Sequence, residues 1–492
     1  MATIGGLRLI GLNQLIDGCC AMTFSTFVGN WLDRHKRNFG IQVVLAFNNL
    51  SVTLSAVALY CCLLKENCDW IYMVLLVVAL VFNAISQISS GGEKLAFTKD
   101  WIVVMATQPG STVTLAGCNS IMHIIDQAAS MISPIIVGIL LTTYSYKTIC
   151  IFLAAWNLVS WGVEASMLRK LYNFVPELAI RHTLKESEVT AKLVSGESSK
   201  EEPSAKLGFF GMLHTYAKQP VLLPAVALSL LYFTVLGSDG LGIGFAKTMG
   251  LPENYIGYSR FVGSLLGVIS ASSYPFFERN VGVMKTGFIG FLSQQFFLLF
   301  AVGSVFLPGS PFDLIGFTKS FDFQRWFSEL FSGQSFVRMT GEMNPYIYLN
   351  ETDFTNSTLD PAFNYEVDWS TLTIANHSII SILVFLFGIV FARFGLWLID
   401  ISITQLMQEK VPERQRGTVF GVENALCNAF SVLKDIMIIL LPDVKTFGLL
   451  VIISFAAVFA ASFIYIVFMA KTSISDRRNR KNIPLTEFKS TP

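Results

Sequence analysis

Charged side chains are scarce in this chain of 492 residues. Aspartate, glutamate, lysine and arginine make up 14% of it, whereas hydrophobic residues make up 53%. Soluble globular domains carry about 25% charged residues, so the composition excludes an ordinary soluble protein. The formal net charge is +1, which is not the basic surplus that a nucleic-acid partner requires. The composition therefore predicts a polytopic membrane protein whose main partner is the lipid bilayer, with no nucleic-acid partner.

The sequence also lacks the motifs of soluble enzymes and of domains stabilised by zinc or disulfides. Its eight cysteines contain no CxxC spacing and fall mostly in apolar segments, which argues against a zinc or disulfide framework. There is no phosphate-cradling glycine loop, ATPase signature or nucleophile triad. The first apolar run is too long for a cleavable signal peptide and ends at a basic cluster. We therefore expect neither an enzyme nor a permanently bound cofactor.

Apolar runs long enough to cross a bilayer occur about eleven times. A membrane-spanning helix needs about 20 apolar residues. The predicted spans cover residues 4–31, 41–64, 71–98, 113–143, 148–172, 220–248, 254–278, 285–307, 378–402, 417–441 and 446–470. The fold class is therefore predicted to be all-α.

Basic clusters at 33–37 and 477–481 orient these spans. The positive-inside rule places both clusters in the cytosol, and the even number of spans between them satisfies both placements. Two bundles joined by a Lys-, Glu- and Ser-rich linker form the major facilitator plan, here with one span fewer in the first bundle. The predicted domains are an N-terminal bundle (1–173) and a cytosolic linker (174–219), followed by a C-terminal bundle (220–472) and a cytosolic tail (473–492). The C-terminal bundle contains an external loop (308–376).

Polar residues at membrane depth are costly and mark candidate sites. The stretch Leu222–Met249 is glycine-rich around Asp239, which favours an unwound helix with a substrate site over a glycine-lined packing face. Asn157 and Glu164 are two helical turns apart and share one face. Their oxygen atoms suit calcium or another divalent cation, and the alternative is an interhelical hydrogen-bonding pair.

Charges near the predicted cytosolic mouth form a second group. Asp100 and Arg416 are placed where opposite charges can hold two bundles together, although each alone is equally consistent with a solvated surface charge. His123 and Asp126 lie one turn apart, as a ligand pair or, in our preferred interpretation, a structural ion pair. Lys434 lies beside Asp435, and the two charges can neutralise each other.

Several strings resemble the ferroportin family, in order, from about residue 20 to about residue 470. They include KDWIVV from Lys99, WNLVS from Trp156, LYFTVLG from Leu231 and RFGLW from Arg393. Ferroportins are major facilitator-type exporters of ferrous iron. The resemblance therefore implies a multi-pass transporter of the plasma membrane that moves iron(2+) out of the cytosol.

The resemblance also implies roles for individual residues. The family's calcium-binding positions fall on Asn157 and Glu164, with Asn48 in place of a glutamine. Its cytosolic gate matches at five positions, while His123 replaces an arginine and Asn30 an aspartate. The five matching gate residues are Asp100, Asn119, Asp126, Gln127 and Arg416.

Other family positions are changed in this chain. The family's first helix, which carries an aspartate and a histidine for the metal, has no counterpart ahead of Ile4. The cysteine that ligates metal and contacts the hormone hepcidin falls on Gly240, so we expect no hepcidin binding. The metal-binding histidine of the penultimate helix falls on Lys434, whose ammonium repels cations. Asp239 remains as an oxygen ligand in this half.

Three interpretations follow from this pattern. The first is an exporter of ferrous iron or a related divalent metal by alternating access. The second is a major facilitator carrier of another solute. The third is a transport-inactive regulatory membrane protein. Retention of Asn157, Glu164 and the gate residues favours the first two.

We predict that the loop 308–376 is external and carries N-linked glycans. Three acceptor patterns fall in it, at Asn350, Asn356 and Asn376. Endoglycosidase treatment should increase the electrophoretic mobility of the chain and leave a variant with all three asparagines changed to glutamine unaffected. Glycosylation of a tag inserted near Ser198 in the linker would contradict this topology.

Overall fold

The computed structural model describes most of the predicted membrane core. The described residues are 2–64, 70–108, 113–180, 208–236, 245–246, 249, 251, 253–320, 324, 369–374, 377–441 and 444–481. Five of the predicted site residues lie outside these ranges: Asp239, Gly240, Asn350, Asn356 and Asn376.

Helices dominate the first half of the chain. The helices are α1 (Ala2–Arg34), α2 (Arg37–Leu64), α3 (Trp70–Lys94), α4 (Ile102–Ala106), α5 (Leu115–Thr143) and α6 (Tyr146–Phe174). A π-helical segment, Leu95–Trp101, joins α3 to α4 without a break, and a 3-10 turn covers Pro176–Leu178. Thr114 and Ser145 begin α5 and α6 as N-caps, since their hydroxyl groups accept hydrogen bonds from Gly117 N and Thr148 N.

The second half is also helical apart from one small β-ribbon. Its helices are α7 (Phe209–Ala217), α8 (Leu222–Leu231), α9 (Glu253–Val281), α10 (Val283–Ser304), α11 (Leu314–Ser320), α12 (Ile380–Lys410), α13 (Arg416–Leu440) and α14 (Phe447–Lys481). Two short strands, β1 (Thr373–Ile374) and β2 (His377–Ser378), pair antiparallel. Short 3-10 turns precede α13 and α14, at Glu413–Gln415 and Val444–Thr446.

Each of the eleven predicted spans contains a helix. Among the described residues, seven helical stretches are long and apolar enough to cross a membrane: Arg37–Leu64, Trp70–Ala106, Leu115–Val137, Tyr146–Phe174, Val283–Ser304, Ile380–Lys410 and Phe447–Ser475. The long helices α1, α9 and α13 and the short helix α8 occupy the other four predicted spans. The prediction of an all-α polytopic membrane protein is confirmed.

The helices pack as two groups with few elements crossing between them. In the first half α2 packs against α3 and α6, and α1 packs against α3. In the second half α12 packs against α9 and α10, while α14 packs against α8 and α10. The main contacts between the halves are α1 with α13 and α5 with α9, and the π-helical segment also contacts α13. This is the two-bundle arrangement that the span count predicts.

One end of the molecule carries both basic clusters. We call it the gate end, and define it as the end where α1 stops at Arg34 and α13 starts at Arg416. Because α14 follows α13 after a short connection, it runs back towards the gate end and finishes there at Lys481. The clusters at 33–37 and 477–481 therefore lie on one side, as the positive-inside argument requires.

Glycine allows α1 and α13 to touch through their backbones at the gate end. A Cβ placed on Gly421 would lie 2.8 Å from the carbonyl oxygen of Ser25 and 3.3 Å from the Cα of Gly29. A Cβ on Gly29 would overlap the carbonyl oxygen of Gly417. Membrane helices approach this closely only where small residues line the contact.

A second close crossing, between α10 and α12, generates a stability prediction. A Cβ on Gly395 would lie 2.5 Å from the backbone nitrogen of Gln294, so Gly395→Val should separate the two helices. Overpacking of this kind costs about 1–3 kcal/mol, and a backbone clash lies at the upper end. Thermal unfolding of the detergent-purified protein should occur at a clearly lower temperature. The matched control is Gly303→Val on α10, where nothing lies within 4 Å of an added Cβ. Equal melting temperatures for the two variants would contradict this packing.

Candidate gate and metal-binding sites

A buried carboxylate, Asp100, joins three elements at the gate end. It lies at the end of the π-helical segment and accepts two hydrogen bonds from Arg37, the first residue of α2. The bonds run from Nε to Oδ2 at 2.9 Å and from Nη2 to Oδ1 at 3.2 Å. Arg416 Nη1 of α13 donates to the same Oδ1 at 3.4 Å. One carboxylate therefore bridges the first bundle to the second through two guanidinium groups.

A second carboxylate balances the charge of this cluster. The side chain of Glu413, just before α13, makes a short contact with Arg37 Nη2. The Arg37 side chain is 1% exposed, so it depends on these partners for the hydrogen bonds that water would otherwise supply. Two arginines and two carboxylates form a neutral set, in which the Arg37–Glu413 and Arg416–Asp100 pairs cross between the bundles.

Asp33 caps α13 from the opposite bundle. Its Oδ1 accepts a hydrogen bond from Gly417 N at 2.8 Å, and its Oδ2 accepts from Thr418 N at 2.6 Å and from Thr418 Oγ1 at 2.8 Å. The first turn of a helix has unsatisfied N–H groups and a partial positive charge, which favour a carboxylate. The cap therefore attaches the C-terminal end of α1 to the N-terminal end of α13.

A pair of side-chain amides forms a further contact between the bundles. Asn119 of α5 donates from Nδ2 to Gln408 Oε1 at 2.7 Å, and Gln408 Nε2 donates back to Asn119 Oδ1 at 3.2 Å. Gln408 Nε2 also donates to the carbonyl of Thr98 at 2.9 Å. Both amides are buried, so separating them exposes four hydrogen-bonding groups that need water.

The other predicted gate residues have different partners. Gln127 accepts a hydrogen bond from Arg393 Nη2 of α12 at 3.4 Å and so also connects the bundles. Asp126 pairs at 2.9 Å with Lys94 of its own bundle, and both side chains are well exposed. His123 does not pair with Asp126. Its Nε2 lies 3.2 Å from Asp400 Oδ2 of α12.

The predicted oxygen ligands of the first half lie on neighbouring helices. Asn48 of α2 accepts from Ser86 Oγ at 2.8 Å and donates to Glu93 Oε2 at 3.3 Å. On α6, Glu164 Oε1 accepts from Ser160 Oγ at 2.5 Å. Glu164 also interacts electrostatically with Glu93 of α3, and α2 packs against both α3 and α6.

Asn157 faces its own backbone in this conformation. Its Nδ2 donates to the carbonyl of Leu153 at 2.8 Å, which leaves its Oδ1 as the atom for a cation. Carboxylate and amide oxygens are the ligand types that calcium takes. Within the described ranges, no three His, Cys, Asp or Glu side chains converge on a metal position. Any cation here would rely partly on amide and hydroxyl oxygens.

A buried glutamate that the sequence did not single out lies in the second bundle. Glu423 of α13 is 5% exposed and accepts a hydrogen bond from Tyr216 Oη at 2.5 Å through Oε2. Its Oε1 accepts from Ser229 Oγ at 3.0 Å and lies 3.6 Å from Cys427 Sγ. Burial raises the pKa of the Tyr216 phenol, so this hydroxyl keeps its proton and remains a donor.

Lys434 and Asp435 form a local ion pair on α13. Lys434 Nζ lies 3.5 Å from Asp435 Oδ1, and the lysine side chain is the more buried of the two, at 12% against 46% exposure. The expectation that these neighbours pair with each other agrees with this geometry. The Lys434 side chain therefore has a carboxylate neighbour on its own helix.

Comparison with known proteins decides the family. The Ferroportin1 (FPN1) family model matches residues 1–458, which is most of the chain. The chain belongs to the ferroportin family. Human ferroportin and that of Canis lupus familiaris are each 29% identical over 504 residues, covering 95% of this chain and 86% of the relative. Solute carrier family 40 member 2 of Arabidopsis thaliana is 24% identical, covering 94% of this chain and 82% of the relative.

Solved structures agree on the fold. A bacterial homologue of iron transporter ferroportin in the outward-facing state is similar with a TM-score of 0.68 at 19% identity, covering 95% of this chain and 93% of that chain. A bacterial homologue in the inward-facing state gives a TM-score of 0.53, covering 95% and 92%. The two-bundle fold of these structures is therefore present in this chain.

Sequence reasoning did not assign Arg37, Asp33, Glu413 or Gln408 to the gate of this ferroportin-family chain. Arg37 and Asp33 served only as part of the charge cluster that sets topology. Their signal was the mixture of signs at 33–37, since a purely topological cluster needs no aspartate. Gln408 and Glu413 carried no signal of their own, because their partners are more than 280 residues away.

We predict that Asp100→Asn opens the gate end. The substitution leaves Arg37 and Arg416 buried without their shared counter-charge, and breaking a buried ion pair costs about 3–5 kcal/mol. Förster transfer between fluorescent amino acids incorporated at the exposed positions 36 and 410 should fall as the bundles separate. Asp126→Asn is the matched control, because its lysine partner is exposed and within the same bundle. Unchanged transfer in Asp100→Asn would show that Asp100 does not hold the gate.

Proposed function

We propose that this chain is a membrane transporter that exports ferrous iron or a related divalent metal from the cytosol by alternating access. The observation that carries the proposal is the Asp100 cluster, which closes one end of a ferroportin-family two-bundle fold. The relatives to which this chain is similar are ferroportins, and a similar solved structure is that of a bacterial homologue of iron transporter ferroportin. We place the chain in the plasma membrane on the same ground.

The closed end identifies the conformational state within the proposed cycle. The gate end carries both basic clusters, so the positive-inside rule assigns it to the cytosol. Closure by Asp100, Asp33 and the Asn119–Gln408 amide pair then corresponds to an outward-facing state. Opening of the gate end requires these contacts between the bundles to break together. Contacts between the bundles at the external end would then form in their place. This is the two-state element that alternating access needs.

Calcium is proposed as a regulatory ion of the first bundle. Support comes from the oxygen atoms of Asn48 and Glu93, which are hydrogen-bonded between α2 and α3, and from Glu164 on α6, which acts electrostatically on Glu93. Asn157 supplies a further amide oxygen two helical turns from Glu164. Bound calcium would neutralise the two neighbouring carboxylates and fix α6 against α2 and α3.

The second bundle supports a different candidate function. Lys434 keeps a positive charge at the family's metal-histidine position, and Gly240 lacks the family's metal-binding thiol. Both changes disfavour a metal at that place and favour a carrier of another solute, or a transport-inactive regulatory protein. Asp239 is the remaining carboxylate at the predicted unwound segment. Because Gly240 cannot form the thiol contact, we expect no hepcidin binding.

Transport of metal in proteoliposomes tests the main proposal. The purified chain should carry ferrous iron or cobalt across the membrane faster than protein-free liposomes, as followed by quenching of an enclosed metal-sensitive dye. Asp33→Ala should slow it several-fold, because loss of an N-cap costs about 1 kcal/mol and weakens gate closure. Asp313→Ala is the matched control, since Asp313 caps α11 through Gly316 N, away from the gate.

Two further measurements distinguish metal export from the other two candidate functions and test the calcium site. Rates equal to empty liposomes for iron, cobalt and manganese would overturn metal export and leave the other two functions. Calcium should raise the melting temperature of the wild type. At about 100 times its dissociation constant, a bound ion stabilises the folded state by about 2.7 kcal/mol. Glu164→Gln should lose this effect, whereas Glu177→Gln, in the 3-10 turn after α6, should keep it.

A further inference from the structure

Lys99 extends from the first bundle into the second. It lies in the π-helical segment, one residue before Asp100, and its Nζ donates to Thr404 Oγ1 of α12 at 3.1 Å. The same nitrogen lies 5.4 Å from the centre of the Phe420 ring of α13. The ammonium is therefore held between α12 and α13 by a hydroxyl oxygen and an aromatic face.

Two carboxylates of the second bundle share the helix faces that Lys99 contacts. Asp400 precedes Thr404 by four residues on α12, and Glu423 follows Phe420 by three residues on α13. Residues at these spacings lie on one face of a helix. Both carboxylates act electrostatically on the Lys99 ammonium. A cation belonging to the first bundle thus lies between a hydroxyl oxygen and an aromatic ring of the second bundle, within the electrostatic influence of two carboxylates of that bundle.

Glu423 needs a cation more than Asp400 does. Asp400 has His123 as a neighbour at 3.2 Å. In the part of the chain that the structure describes, no basic nitrogen pairs with Glu423 within the 4.0 Å of an ion pair, and its hydrogen bonds come from hydroxyl and thiol groups. A carboxylate this deeply buried is costly without positive charge nearby. Lys99 supplies that charge only while the gate end is closed.

We propose that the second bundle has a cation-binding position between Glu423 and Asp400, which the Lys99 ammonium fills in the closed state and a divalent metal fills when the gate opens. The proposal rests on the alternating-access function above. Carboxylate, hydroxyl and thiol donors suit a borderline ion such as ferrous iron, cobalt or manganese. Lys99 is adjacent to Asp100, so separating the Asp100 cluster withdraws the ammonium. When the gate closes again, the returning ammonium displaces the metal towards the outside.

Cobalt binding to the detergent-purified protein, measured by calorimetry, tests the exchange. Lys99→Met should bind cobalt at least about tenfold more tightly than the wild type, because removing an occupant present about 90% of the time restores the intrinsic affinity. Adding Glu423→Gln to Lys99→Met should abolish the gain. Lys170→Met, which removes an exposed lysine of α6, should match the wild type. If Glu423→Gln does not fold, Asp400→Asn in the Lys99→Met background serves as the second test, and it should also weaken binding.

The outcomes separate this site from the proposed function. If Lys99→Met binds cobalt no more tightly than the wild type, or if the double variant keeps the gain, the exchange site is wrong even where the wild type transports metal. If the gain appears and depends on Glu423 while the wild type moves no metal in liposomes, the site stands and metal export is wrong.

Discussion

The closed conformation depends on burying one carboxylate, Asp100, between two guanidinium groups. A buried carboxylate is tolerable only when paired, and here Arg37 and Arg416 come from different bundles. The other contacts at this end, the Asp33 cap and the Asn119–Gln408 amides, are hydrogen bonds between the same two bundles. The bundles are thus held by polar groups that water can replace, whereas the interior of each bundle is held by apolar packing that water cannot.

The sequence predicted the helices well because lipid imposes a simple rule on them. A spanning segment must be apolar for about 20 residues, and each predicted span contains a helix. The π-helical segment Leu95–Trp101 was not predictable, since its residues also fit an ordinary helix. It matters because the wider turn sets the direction of Lys99 and Asp100, and π-helical turns recur at functional positions. The gate residues were placed near the correct end, but the periodicity of a helix cannot indicate this local change of pitch.

Pairing between ionisable residues was less predictable than their location. Sequence neighbours suggested pairs such as His123 with Asp126, whereas the structure pairs His123 with Asp400 and Asp126 with Lys94. Lys434 with Asp435 is a case where neighbours do pair. Helical periodicity states which residues share a face, but the partner on the next helix depends on how the bundles dock. The buried Glu423 shows the same limit, because its donors Tyr216 and Ser229 lie about 200 residues away along the chain.

The glycine contact between α1 and α13 has a consequence for the speed of opening. Gly29 and Gly421 meet the opposite helix through backbone atoms, so this part of the surface holds few side-chain rotamers, Asp33 beside Gly417 being one of them. Immobilising a long side chain costs up to about 2 kcal/mol of conformational entropy, and this crossing keeps that cost small in both directions. A contact of this kind between two helices offers little side-chain resistance to their relative movement. The charged residues around it then determine whether α1 and α13 stay together or separate.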